Sequence, residues 1–127
     1  MTPKKLSAEI SVAPQIEPSD IEGLAAQGFK SIICNRPDGE GADQPPFAEI
    51  ERAAAAAGLG TRYVPVAAGN VTDEDAAKFA AALAELPKPI LAYCRSGTRS
   101  TTLWALSQAD RRPLSEIVEG AQSEVVA

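Results

Sequence analysis

The sequence predicts an α/β fold, on three observations. Short apolar runs rich in β-branched residues recur along the chain, and alanine-rich stretches with apolar residues at helical spacing separate them. Gly, Pro and Ser/Thr/Asp punctuation falls between the two kinds of segment, which is the pattern of strands covered by helices. With 127 residues, 45% of them apolar, the chain has the size and apolar content of one compact domain over 1–127, without internal repeat or linker.

The elements follow in order. Ile10-Ser11-Val12 reads as a strand that stops before Pro14. Ser19, with Glu22 three residues on, has the spacing of a capping box and predicts a helix closing at Gly28. Ser31-Ile32-Ile33-Cys34 is the next strand. After it comes the turn-rich string Asn35-Arg36-Pro37-Asp38-Gly39-Glu40-Gly41, which no regular element accommodates. Pro45-Pro46 precedes a helix over residues 47–57, stopped by Gly58 and Gly60, and residues 61–66 read as a third strand. Thr72 and Asp75 form a second capping box, opening a helix that ends near Leu86, before Pro87 and Pro89. Phe79, Leu83 and Leu86 recur in it at helical intervals, so the alanine run is packed helix and not low complexity. Ile90-Leu91-Ala92-Tyr93 is an uninterrupted apolar strand of the kind buried on both faces. A helix from Ser100, bearing Leu103, Trp104 and Leu106, and a short one opened by Ser115 and Glu116 after Pro113 complete the chain.

Composition narrows the function classes. A net charge of −5 disfavours phosphate backbones and anionic lipid, so neither nucleic acid nor membrane is an expected partner. No apolar run reaches the roughly 20 residues of a spanning helix, and Met1-Thr2-Pro3-Lys4-Lys5 has no apolar signal region, so a soluble cytoplasmic protein is expected. Two cysteines, Cys34 and Cys94, are too few for a disulfide scaffold and fit a reducing compartment. Histidine is absent, which removes Ser-His and Cys-His catalysis and imidazole-bearing zinc sites; no metal or cofactor is expected.

Chemistry concentrates in Cys94-Arg95-Ser96-Gly97-Thr98-Arg99-Ser100, between a buried strand and a helix. Successive backbone N–H groups at a helix N-terminus bind anions, and the same donors favour a thiolate over a thiol. Cys94 is therefore the expected nucleophile. Arg99, five residues on, can curl back and offer a planar fork of donors to an oxyanion, as Lys could not. Gly97 lets the amides turn inward, and the hydroxyls of Ser96, Thr98 and Ser100 can donate to sulfur or substrate, with Ser100 chosen to stabilise the leaving thiolate. Arg95 points outward to tune acceptor binding, or is a solvated charge. The bland alternative is a core cysteine followed by a polar turn, against which Gly97, Arg99 and Ser100 speak together.

Two resemblances follow from these residues. The string Tyr93 to Ser100 resembles the active loop of rhodanese-type sulfurtransferases. The element order from Ile10 to Ala105 resembles a minimal dual-specificity phosphatase, which implies a small, mainly parallel sheet flanked by helices, as in protein tyrosine phosphatases. The chain looks most like the phosphatase-like domain family of beta-lactamase-hydrolase-like proteins, by Asn35-Arg36-Pro37-Asp38-Gly39-Glu40 and Ala92 to Ser100. That resemblance implies a possible partner, a metallo-beta-lactamase-like hydrolase module, including types that act on persulfides.

Two departures from the phosphatase pattern shape the expected reaction. Four residues separate Cys94 from Arg99 where Cys-dependent phosphatases have five, and Tyr93 stands where they usually carry His. An alkoxide leaving group also needs a proton from a placed acid. Asp38 is the candidate general acid, because Asp73 and Asp75 read as helix cap and dipole partners. Sulfur transfer asks for less, since sulfite and thiolates leave unaided. The expected function is thus a sulfurtransferase forming a persulfide on Cys94 from a small anionic substrate, thiosulfate or a persulfide, with a thiol acceptor. The alternatives are a cysteine-based phosphatase acting on a phosphate ester through a phosphocysteine, and a non-catalytic anion-binding or thiol-redox module.

Of the remaining residues, Cys34 is either a resolving thiol beside Cys94 or a buried strand cysteine. Arg36 either binds the substrate anion or closes its loop on Asp38 or Glu40. Trp104 and Phe79 are core, and Arg111-Arg112 is a helix-end charge pair.

Overall fold

The computed structural model describes residues 2–108. The short helix expected after Pro113 and the Arg111-Arg112 pair lie outside them. Five strands, β1 (Lys4–Lys5), β2 (Ile10–Ala13), β3 (Ser31–Cys34), β4 (Gly60–Tyr63) and β5 (Ile90–Tyr93), form one sheet in the order β1-β2-β5-β3-β4. Strand β5 is central and parallel to both β2 and β3, β4 is parallel to β3, and β1 is an antiparallel edge on β2. The mainly parallel α/β sheet is as expected. Strand β1 carries two exposed lysines and no apolar pattern, so nothing in its sequence announced it.

Among the described residues four α-helices cover the sheet: α1 (Ile21–Ala26), α2 (Phe47–Ala56), α3 (Asp73–Glu85) and α4 (Thr98–Ser107). Alternation along the strands divides the core. Ile10, Val12, Ile33, Ile90 and Ala92 face α3 and α4 through Phe79, Leu83, Leu103 and Trp104. Ala13, Ile32, Cys34, Leu91 and Tyr93 face α1 and α2 through Ile21, Leu24, Ile50 and Ala54. All four residues of β5 are buried, which is why that strand reads as a continuous apolar run.

Three element boundaries differ from expectation. The Ser19–Glu22 capping box does not form. A 3₁₀ turn, Pro18–Asp20, precedes α1, and the Asp20 carboxylate accepts from the Glu17 backbone N–H at 2.8 Å. Pro18 accounts for the shift, because its fixed φ starts the turn one residue before Ser19. The third strand stops at Tyr63, since Pro65 has no N–H for the ladder, although the Val64 and Val66 N–H groups still donate to the Cys34 and Asn35 carbonyls at the end of the neighbouring β3. Helix α4 starts at Thr98, two residues earlier than expected, from Gly97 as its N-cap. The Thr72–Asp75 capping box of α3 is present in both directions, at 3.1 and 3.0 Å.

Candidate active site

Strand β5 delivers Cys94 to the carboxyl edge of the sheet, at its centre. In open α/β sheets this edge is where ligands bind. The sulfur is buried, and the Gly97 N–H points at it from 3.0 Å. Gly97 adopts φ +94°, a conformation that side chains other than glycine's avoid, and this turn aims its amide back at the sulfur. The first turn of α4 holds no acidic residue of its own to offset the positive end of its dipole.

Arg99 lies over this loop. Its Nη1 donates to Glu40 Oε2 at 2.8 Å and to the Val66 carbonyl at 2.9 Å, and its Nη2 donates to Glu40 Oε1 at 2.7 Å. Hydrogen bonding to Glu40, opposed by burial and aided by the Glu40 charge and the Cys94 sulfur, raises the guanidinium's pKa further. Arg36 closes its loop on Glu40, with Nε 3.0 Å from Oε1, and not on Asp38; its Nη1 donates to Gln15 Oε1 at 3.0 Å. A Cβ at Gly41 would come within 2.7 Å of Arg36 Nη2, so a side chain there would push the guanidinium aside.

The Arg99 hydrogen bonds, ahead of those from Arg36, lower the Glu40 carboxyl from 4.5 to about 2. A pKa depressed by folding stabilises the protein above the unfolded value, and the contribution is lost as pH falls through the folded one. Wild type should therefore melt above Glu40→Gln by a constant margin above pH 4.5, and the margin should close as pH falls toward 2. Thermal melts in that range check it; a margin independent of pH would mean no such ion pair in solution.

Asn35 fastens the site to the sheet. It is fully buried, its Nδ2 donates to the Val64 carbonyl at 2.9 Å, and its Oδ1 accepts from Ser100 Oγ at 2.8 Å. Ser100 is thus directed at Asn35, and its one hydroxyl proton is not available to the sulfur in this arrangement. Ser96 and Thr98 are exposed and bond each other at 3.1 Å, and Arg95 is exposed, its carbonyl accepting from the Gln15 N–H. Asp38 lies on the rim loop as expected. Its Oδ1 accepts from the Phe47 N–H at 2.8 Å at the start of α2, and its own N–H donates to the Tyr63 hydroxyl, whose ring stacks on Phe47. Cys34 is level with Tyr93 on the adjacent strand and donates to the Arg36 carbonyl at 3.3 Å; burial pushes its thiol pKa up. Residue types alone did not single out Glu40 as a partner of Arg99, nor Asn35 or Gln15. The only hint was Glu40 lying four residues after Arg36.

No group of three or more His, Cys, Asp or Glu side chains that could hold a metal ion occurs among the described residues, and none of their helices is long and apolar enough to cross a membrane.

A cysteine at the end of a central parallel strand, the Gly97 amide turned onto its sulfur and an arginine from the following helix are thus brought together. Residues 3–111 match the family model for the phosphatase-like domain of beta-lactamase hydrolase-like proteins. The chain belongs to this family. A beta-lactamase hydrolase-like protein of Agrobacterium fabrum is 39% identical over 105 residues, covering 83% of this chain. The chain spans only 24% of that relative's length. A solved candidate phosphatase of Neisseria meningitidis Z2491 superposes with a TM-score of 0.83 at 38% identity, over 97% of this chain and 88% of that one. Tk-PTP superposes with a TM-score of 0.76 at 14% identity, over 98% and 83% of the two chains, a likeness of fold alone. The chain therefore has a tyrosine- or dual-specificity-phosphatase-like fold, and the family it belongs to is phosphatase-like.

Proposed function

We propose that Cys94 hydrolyses phosphate monoesters with good leaving groups, through a phosphocysteine. The observation that carries this is the Gly97 N–H on the Cys94 sulfur at 3.0 Å, beside a guanidinium, on a phosphatase-like fold. The Cys94 thiolate attacks phosphorus, the S–P bond forms, and the P–O bond breaks with its electron pair leaving on the ester oxygen. Water then attacks the phosphocysteine, releasing inorganic phosphate, restoring the thiolate and giving its proton to solvent. Loop amides and Arg99 hold the phosphoryl oxygens, whose charge spreads in the transition state. Ser100 and Asn35 keep the helix carrying Arg99 fixed to the strand before the rim loop.

The leaving group is chosen by the rim carboxylates. Glu40, at about 2, is ionised at neutral pH and has no proton to give, and Asp38 is engaged at the start of α2. Phenolates and other weakly basic leaving groups need no such proton, whereas alkoxides do. The same shortage favours a second reading. In sulfur transfer the thiolate attacks the outer sulfur of thiosulfate, an S–S bond forms, and sulfite leaves with its electron pair unaided; a thiol or cyanide acceptor then takes the sulfur and frees the thiolate. A thiol acceptor and a hydrolase module as partner belong to this second reading.

Initial rates with an aryl phosphate, an alkyl phosphate, and thiosulfate with cyanide separate the two. The expected result is phosphate release at least about 100-fold faster from the aryl than from the alkyl ester, and thiocyanate at background. Thiocyanate formation without phosphate release would replace the first reading with the second.

A further inference from the structure

Two guanidiniums, those of Arg36 and Arg99, converge on one carboxylate. Three N–H groups hold Glu40, at 3.0, 2.8 and 2.7 Å, and the two arginines are almost fully buried while the glutamate side chain keeps 25% of its surface in solvent. Each guanidinium also has a neutral anchor independent of Glu40: the Gln15 side chain for Arg36 and the Val66 carbonyl for Arg99. Removing the carboxylate would thus leave both forks held by these anchors, with Arg99 on the helix that follows the buried Cys94. The backbone around Glu40 is tied on both sides, by Asp38 to Phe47 and Tyr63 and by the Gly41 N–H to Gln44 Oε1 at 3.1 Å. Only the Glu40 side chain needs to turn for the forks to open.

We propose that Arg36 and Arg99 form the oxyanion subsite of this loop and that Glu40 is its built-in occupant, which a dianionic substrate group must displace. The inference rests on the reading that the loop binds an oxyanion, and it adds Arg36 to the binding machinery and a selection rule. A tethered carboxylate competes at an effective concentration in the millimolar range or above, so weakly bound monoanions are kept out. A phosphoryl dianion, with three oxygens and twice the charge, gains more from two guanidiniums than the carboxylate it replaces. If Glu40 served only to orient Arg99, its removal would weaken anion binding; as an occupant, its removal strengthens it.

The test is calorimetric titration of inorganic phosphate and of acetate into wild type, Glu40→Gln and Glu40→Asp, each checked for a cooperative melt. Asp is one methylene shorter and cannot span both guanidiniums, so it reports should the Gln protein fail to fold. Phosphate should bind the variants about tenfold tighter than wild type, and Arg36→Gln added to Glu40→Gln should reverse most of that gain. Acetate should bind the variants measurably and wild type not at all. Equal or weaker phosphate binding by the folded variants would overturn the occupant role alone, while absence of phosphate binding from all of them would overturn the oxyanion reading with it.

Discussion

Cys94→Ser should lower kcat/KM for an aryl phosphate by about 1,000-fold or more, while leaving phosphate binding and melting temperature near those of wild type. The serine hydroxyl is smaller than the thiol by a fraction of an ångström and fits the same buried position, where the Gly97 amide can still donate to it. What it lacks is an accessible anion. The chain contains no histidine, and the carboxylate held against Arg99, Glu40, is committed to two guanidiniums, so no base stands ready to take a hydroxyl proton. A cysteine can present a thiolate at neutral pH without such help. Structure and binding are thus expected to survive where chemistry does not, and the variant separates three outcomes. Loss of turnover with retained binding supports nucleophilic catalysis by Cys94. Turnover that persists in Cys94→Ser places the chemistry elsewhere. Phosphate binding without turnover by either protein leaves an anion-binding module.

The geometry of the Cys94 loop is legible in the sequence because its information is local. An apolar strand buried on both faces, a cysteine at its end and a glycine before a helix lie within about ten residues, and a strand-to-helix turn allows them few arrangements. The helices are legible for the same reason; α3 has its Thr72–Asp75 box, its alanine stripe and its stopping prolines in one stretch. The capping of α1 misleads because two acceptable boxes overlap, Glu17–Asp20 and Ser19–Glu22, and Pro18 decides between them through its φ angle. The contacts that finish the site are not local. Glu40 and Arg99 are 59 positions apart and Asn35 and Ser100 are 65 apart, and each pair meets only because β3 lies next to β5, an adjacency periodicity does not specify. The roles expected of Arg99 and Ser100 rest on their distance to Cys94 along the chain, which carries no information on what the rim loop brings to them.

Arg99→Lys tests how much of the site depends on a planar fork. The arginine serves three acceptors from two nitrogens, both Glu40 oxygens and the Val66 carbonyl, at 2.7 to 2.9 Å. An ammonium ion carries the same charge on a single nitrogen and lacks the planar fork that serves both carboxylate oxygens and the Val66 carbonyl together. Loss of the carbonyl's partner in a buried setting costs about 1–3 kcal/mol, so a lower melting temperature is expected. A fall in kcat/KM of about 100-fold is expected as well, because two of the three equatorial oxygens of a phosphoryl group in flight match the two parallel N–H groups of a guanidinium. The variant also probes the occupant role of Glu40. With lysine at 99 the carboxylate loses one of its two holders, so Glu40→Gln should improve phosphate binding less in the Arg99→Lys background than in wild type. Equal improvement in both backgrounds would mean that Glu40 and Arg99 act on the anion independently, and the shared carboxylate would then be a structural tie and not a competitor.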